Sequence, residues 1–320
     1  MEIPLVRRFP ALATVPRADL CTIPTPVQAA EVLAPGLWIK REDLSAEPLG
    51  GNKVRALEFL LGGVRQGDTV VTVGAAGSTH ALATLVHARR LGAKAIICRW
   101  PQEMNEVARR VAERITEETN APPSMNILGA YIRASRARLR GARWIPAGGS
   151  SALGVLGQVN AALELADQVS AGAMPRPDRI VLPLGTGGTA AGLALGLAIA
   201  GLRATVVAVR VVPRVVANRR RVRRLVERTA RLIERASRAR LTRPDENALL
   251  IVHDYYGGAY GRETIAGAEI ARRCAQQTGI PIDPTYGAKA LAAATTIAAR
   301  EGGTTLFWLS FDGRWLVALP

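Results

Sequence analysis

The chain is poor in aromatic residues, cysteine and histidine. Phe, Trp and Tyr make up only 4% of its 320 residues. A core must therefore be packed by Ala, Val, Leu and Gly, which suits helices and strands in close approach. The three cysteines, Cys21, Cys98 and Cys274, are odd in number and far apart. That excludes a disulfide framework and makes a cytoplasmic location the expectation. The three histidines provide no metal set: His80 and His87 share a helix face but lie two turns apart, and His253 is isolated, so no metal is expected. No apolar run is long enough to cross a bilayer, and residues 1–8 lack the apolar stretch of a signal peptide, so no membrane partner is expected. Internal repeats and low-complexity tails are also missing.

Acidic residues are in deficit too, and the formal charge is +16. Much of the excess lies between residues 210 and 243. Val222, Leu225, Val226, Leu232, Ile233 and Ala236 recur there at three- and four-residue intervals. This predicts a helix with one buried stripe and a solvated arginine face. Glu227–Arg231 and Glu234–Arg238 have the spacing of helical ion pairs. No aromatics are interleaved with the arginines and no zinc-finger spacing occurs, so nucleic acid is not expected as a partner despite the charge.

What is present is an alternation of strand-like and helical patterns. Strands are predicted over 37–40, 69–73, 94–99, 125–128, 143–146, 179–184, 204–212, 249–254 and 304–310. Helices are predicted over 52–66, 78–91, 103–118, 153–169, 189–200, 216–237, 263–278 and 286–300. Such alternation specifies an α/β fold of mainly parallel sheets flanked by helices, and the length suits two lobes.

Two segments carry chemistry. Gly50-Gly51-Asn52-Lys53 places a lysine at a helix entrance after two glycines. Gly185-Thr186-Gly187-Gly188-Thr189 lies between an apolar strand and a small-residue helix, where inward amides, a helix N-terminus and two threonine hydroxyls suit a phosphate. An aldehyde-binding lysine and a separate phosphate cradle are what pyridoxal 5'-phosphate requires. The same glycines also fit Gly-x-Gly-x-x-Ala; the next strand carries Arg210 and no acid, which disfavours NAD and leaves NADP open. A third turn, Gly77-Ser78-Thr79-His80, puts hydroxyls where helix N-caps belong.

Together with the blocks 39–43, 146–151, 256–261 and 283–290 in this order, these segments resemble the D-cysteine desulfhydrase / 1-aminocyclopropane-1-carboxylate deaminase family of fold-type II pyridoxal-phosphate enzymes. The resemblance covers nearly the whole chain. It implies a larger cofactor-binding domain of residues 1–50 and 166–320, with a smaller domain of residues 51–165 closing over the site, and a homodimer. It implies catalytic roles for Lys53, Ser78, Tyr260 and Tyr286. Lys53, Asn52, Thr79, Gly185, Thr186, Gly187, Gly188, Thr189 and Ser310 would contact the cofactor; Ser78, Thr79, His80 and Tyr286 would contact a small amino-acid substrate. The chain departs from the family in Gly77, Thr79 and Gly287, where Gln, Asn and, in the deaminases, Glu are usual, and in Ser310, where Thr is. A neutral hydroxyl at the ring nitrogen and no acid at 287 favour α,β-elimination over ring opening. Ring-opening deamination is the alternative reading, and a cofactor-binding protein with degenerate catalysis is a third.

Overall fold

The computed structural model describes residues 2–124 and 126–317. Nine strands form two sheets: β1 (Val27–Ala29), β2 (Leu37–Lys40), β3 (Thr69–Ala75), β4 (Lys94–Trp100), β5 (Arg143–Ile145), β6 (Arg179–Leu184), β7 (Thr205–Arg210), β8 (Leu249–Val252) and β9 (Thr305–Trp308). The larger sheet has the order β1-β2-β9-β6-β7-β8 and the smaller β4-β3-β5. Every pairing is parallel except β1 with β2. Among the described residues eleven α-helices accompany them: α1 (Pro4–Arg8), α2 (Asn52–Leu60), α3 (Thr79–Arg90), α4 (Glu106–Thr119), α5 (Ile127–Leu139), α6 (Ala152–Ser170), α7 (Gly188–Ala200), α8 (Arg219–Ser237), α9 (Ile265–Thr278), α10 (Gly287–Glu301) and α11 (Arg314–Val317).

The larger sheet is buried on both faces, as a parallel sheet must be. Successive side chains point to opposite sides: Leu306 and Trp308 join the core under α6, α7 and α8, whereas Phe307 and Leu309 join the one under α9 and α10. The smaller sheet is likewise two-faced. Val70, Ile97 and Ile145 pack toward α2, α3 and α4, and Val71, Val73 and Cys98 toward α5.

That last helix corrects the expectation of a strand over 125–128. Met125 lies outside the described residues, and Asn126 is the N-cap of α5, accepting a hydrogen bond from Gly129 N at 2.8 Å. The α5 face that covers the sheet consists of Ala130 and Ala134, whose small side chains leave little hydrophobic periodicity. Helix α2 also stops at Leu60, short of residue 66, because Gly62 must lie against the Pro16 carbonyl, where a Cβ would overlap it.

The arginine-rich segment is helical as expected, with Val222, Leu225, Val226 and Ile233 buried. The Glu227–Arg231 pair forms at 4.0 Å. The Glu234–Arg238 pair does not, because Arg238 ends the helix in a left-handed conformation (φ 54°). Glu234 pairs instead with Arg243 at 2.8 Å.

A buried charge cluster fixes α2 between the sheets. Arg55 donates to Glu42 Oε1 at 2.7 Å and to Glu164 Oε2 at 2.8 Å. Lys40 Nζ donates to Glu164 Oε1 at 2.7 Å. All four side chains are almost wholly buried. Removing one partner from such a cluster typically costs about 3–5 kcal/mol, because it strands the remaining charge.

Candidate active site

A cleft opens at the carboxyl ends of β3, β4, β6, β7 and β9, where open α/β sheets place their ligands. Gly51, with φ 109°, precedes α2 and lets the chain pass within reach of β9's extension. Asn52 N donates to the Ser310 carbonyl at 3.0 Å. A Cβ at Gly51 would lie 2.7 Å from that carbonyl oxygen, so the glycine is required. Asn52 Nδ2 donates to Thr189 Oγ1 at 2.8 Å, and Gln158 Nε2 to the Asn52 carbonyl at 2.6 Å. These bonds tie the lysine turn to the glycine loop.

The sequence has four lysines, Lys40, Lys53, Lys94 and Lys289. Lys40 is buried in the charge cluster. Lys94 is exposed at the start of β4. Lys289 is buried and donates to the Tyr256 carbonyl at 2.7 Å. Lys53 is half-buried, lines the cleft and forms no ion pair among the described residues. Enclosure in protein pushes its ammonium down to about 8, so a substantial fraction is a neutral amine at mild pH. Lys289 is lowered to about 8 as well, by burial that outweighs the nearby Asp283, but its amine is engaged.

Next to Lys53 a smaller recess is bounded by Asn52, Thr79, Gly185–Ala190, Tyr286 and Ser310. Gly187, φ 92°, is the N-cap of α7, so the loop amides and the helix N-terminus converge there. A Cβ built on Gly185 would have only Tyr286 Cε1 within 4 Å, at 3.9 Å. This glycine therefore keeps space open rather than relieving a clash. A phosphate fits this recess, and an aromatic aldehyde beyond it fits the Lys53 amine. Thr186 Oγ1 hydrogen-bonds to Ser150 Oγ at 2.6 Å, bringing the loop after β5 against the glycine loop. Arg210 takes no part: its guanidinium lies 3.9 Å over the Tyr256 ring and donates to His253 Nδ1 at 2.9 Å and the Val212 carbonyl at 3.0 Å. The side chain that left a dinucleotide phosphate open is thus already committed.

The larger cleft, about 530 Å³, runs outward from Lys53 past Ser78, His80, Tyr260 and Tyr286. Ser78 is the N-cap of α3, its Oγ accepting from Ala81 N at 3.3 Å, and it also lines the cleft. Its neighbour Thr79 is a hydrogen-bonding neighbour of the Tyr286 phenol. His80 faces inward: Nε2 lies 3.2 Å from Thr72 Oγ1. Burial, with Lys53 close by, pushes its imidazole down to about 3, so His80 is neutral. The Tyr260 and Tyr286 hydroxyls hydrogen-bond to each other, with ring centroids 6.0 Å apart at 70°. Burial raises both phenols, Tyr260 to about 12 and Tyr286 well above its ordinary value. Both therefore stay protonated in the working pH range and can donate.

Sequence reasoning missed Asp283. Its carboxylate is buried and accepts from Tyr286 N at 2.7 Å and Gly287 N at 2.8 Å. Burial raises its pKa, against those hydrogen bonds. It positions Tyr286, and its signal was the Asx-type cap of a following helix.

A profile of the family described as "Pyridoxal-phosphate dependent enzyme" matches residues 19–310. A D-cysteine desulfhydrase of Klebsiella pneumoniae is 32% identical over 88% of both chains. Nocardicin C-9' epimerase of Nocardia uniformis is 33% identical over 93% of both. The crystal structure of an ACC deaminase homologue, 29% identical, superposes with a TM-score of 0.79 over 98% of this chain and 95% of that one.

Proposed function

The chain belongs to the pyridoxal-phosphate-dependent enzymes, in the group of the D-cysteine desulfhydrases and 1-aminocyclopropane-1-carboxylate deaminases, and we propose that it catalyses α,β-elimination from a small amino acid with a β-leaving group. D-cysteine is the first candidate, giving pyruvate, ammonia and sulfide. The amides and hydroxyls of Gly185–Thr189 hold the cofactor phosphate, with Asn52 bracing Thr189. Lys53 would supply the amine for the aldehyde, and the Ser310 hydroxyl would serve the ring. Bound there, the cofactor's conjugated ring takes up the electron pair released at the substrate α-carbon.

The substrate carboxylate sits at the N-terminus of α3, against the Ser78 and Thr79 hydroxyls and the amides of that turn. The Lys53 amine would take the proton from the substrate α-carbon, which its lowered pKa allows. The Tyr260–Tyr286 pair protonates the leaving group. One observation carries the reading: a single cleft amine faces two linked phenols that stay protonated. Opening a cyclopropane ring releases no leaving group, and position 287 supplies no acid beside it, so that reaction is expected to be slow.

Residues 51–165, apart from α6, which packs on the larger sheet, act as the smaller lobe, and closure shields the site from water. Three polar contacts across the cleft support this: Ser150–Thr186, Glu103–Arg262 at 2.6 Å, and Asn105 Nδ2 to Thr285 Oγ1 at 2.8 Å. The assay compares pyruvate release from D-cysteine, L-cysteine and β-chloro-D-alanine with 2-oxobutyrate release from 1-aminocyclopropane-1-carboxylate. Turnover of the cyclopropane substrate alone would overturn the elimination reading.

A further inference from the structure

Resting on that elimination reading, we propose that the leaving group carries a bulky apolar or aromatic substituent, so that the best substrates are cysteine thioethers rather than cysteine. The phosphate has its own recess, so only the cofactor ring and the amino acid share the 530 Å³ cleft. Pockets of about 300–1,000 Å³ hold drug-sized ligands. A cysteine side chain is one methylene and one thiol. It would leave the outer cleft to water, whose place in a liquid takes up only about 30 Å³.

The outer walls are apolar: Trp100, Ile127, Val212, Val216 and Tyr256. Trp100 is braced by the Tyr131 ring, stacked with centroids 6.2 Å apart, and Tyr131 in turn by Trp144 at 6.3 Å. The polar side chains of this region are spent on protein. Gln102 Oε1 accepts from Gly77 N at 3.1 Å and its Nε2 donates to the Glu103 carbonyl at 3.2 Å. Glu103 is paired with Arg262. A charged substituent finds no free counter-charge there, whereas an apolar one covers apolar wall.

The chemistry balances without a further reactant. The C–S bond breaks, the sulfur leaves with the electron pair, and it takes a proton from the tyrosine pair. Overall, RS–CH2–CH(NH3+)–COO− and water give CH3–CO–COO−, NH4+ and RSH.

The test measures pyruvate release by the holoenzyme from D-cysteine, β-chloro-D-alanine and the S-methyl, S-benzyl and S-carboxymethyl D-cysteines, with the L series in parallel. We expect kcat/KM for S-benzylcysteine to exceed that for cysteine by at least about 10-fold, the order that one or more methylenes give in an apolar pocket. S-carboxymethylcysteine should fall below both. Turnover of cysteine with kcat/KM decreasing as the substituent grows would overturn the proposal and leave the elimination reading standing. No pyruvate from any substrate, β-chloro-D-alanine included, would overturn both. Val216→Trp should lower the benzyl-to-cysteine ratio, with the cofactor's visible absorbance reporting folding. Ile127→Asp, at a position 55% exposed and so tolerant of change, should lower it too. An unchanged ratio in a folded variant counts against the proposal.

Discussion

A Cβ at Gly287 would sit 2.7 Å from Asp283 Oδ2, so the carboxylate that caps α10 is the reason position 287 is glycine. An acid is thus present beside the tyrosines, but it serves the backbone of the helix start rather than the cleft. Gly287→Ala should destabilise the protein by about 1–3 kcal/mol through overpacking. Gly287→Glu should destabilise it further, by adding a second negative charge. Combining Gly287→Glu with Asp283→Gly should recover part of the loss, since the two positions share one space. Thermal unfolding of the wild type, Gly287→Ala, Gly287→Glu, Asp283→Gly and the double variant measures this, and additive losses in the double variant would refute the coupling.

Lys53→Ala should abolish covalent retention of the cofactor while leaving weaker, phosphate-dependent binding. Borohydride treatment followed by peptide mapping should label Lys53. Labelling of Lys289, which is equally lowered in pKa but hydrogen-bonded to Tyr256, would mean that the amine facing the cleft had been misassigned.

The depressed Lys53 pKa has a defined pH signature. Burial favours the neutral amine, so the reactive form is half-populated near pH 8 rather than above pH 10. In protein stripped of cofactor, the rate of covalent recapture should rise with pH up to about 9 and then level off. A rate that keeps rising beyond pH 10 would show an amine of ordinary basicity.

Ser78 both caps α3 and lines the cleft, and the two contributions separate experimentally. Ser78→Ala should lower stability by about 1 kcal/mol through the lost cap. It should also lower kcat by roughly 10²–10⁴-fold if the hydroxyl handles a proton. Ser78→Asn keeps the cap and removes the hydroxyl without setting a charge against the substrate carboxylate. Recovery of melting temperature without recovery of kcat would establish the chemical role; recovery of both would reduce Ser78 to a cap.

Tyr260→Phe and Tyr286→Phe should each lower kcat on cysteine substrates with poor leaving groups more than on β-chloroalanine, whose chloride needs no proton. Because the hydroxyls bond to each other, the double variant should lose less than the sum of the single losses. Equal losses on both substrates would argue that the pair packs rather than donates.

Much of this architecture could be read directly. Strands such as 179–184 are continuous apolar runs because both their faces are buried, and the turn from that strand into α7 announced itself by glycine spacing. Helix α5 could not be read, because its buried face is alanine and its large apolar residues Ile127, Leu128 and Ile132 face outward. Asp283 was missed for a different reason: its carboxylate acts on the amides of Tyr286 and Gly287, a local cap that draws less notice than the tyrosine it positions. The cluster of Lys40, Glu42, Arg55 and Glu164 was equally opaque, since its members are separated by up to 124 residues and resemble ordinary surface charges one at a time.

The rarity of lysine has a practical consequence. Of the four lysine side chains only Lys94 is exposed, and it begins the strand whose other end, Trp100, borders the cleft. Seven residues of strand put the two ends about 20 Å apart. With the Lys53 amine occupied by the cofactor, immobilisation through lysine would therefore attach the protein by one point and in one orientation, with the mouth of the cleft turned away from the support.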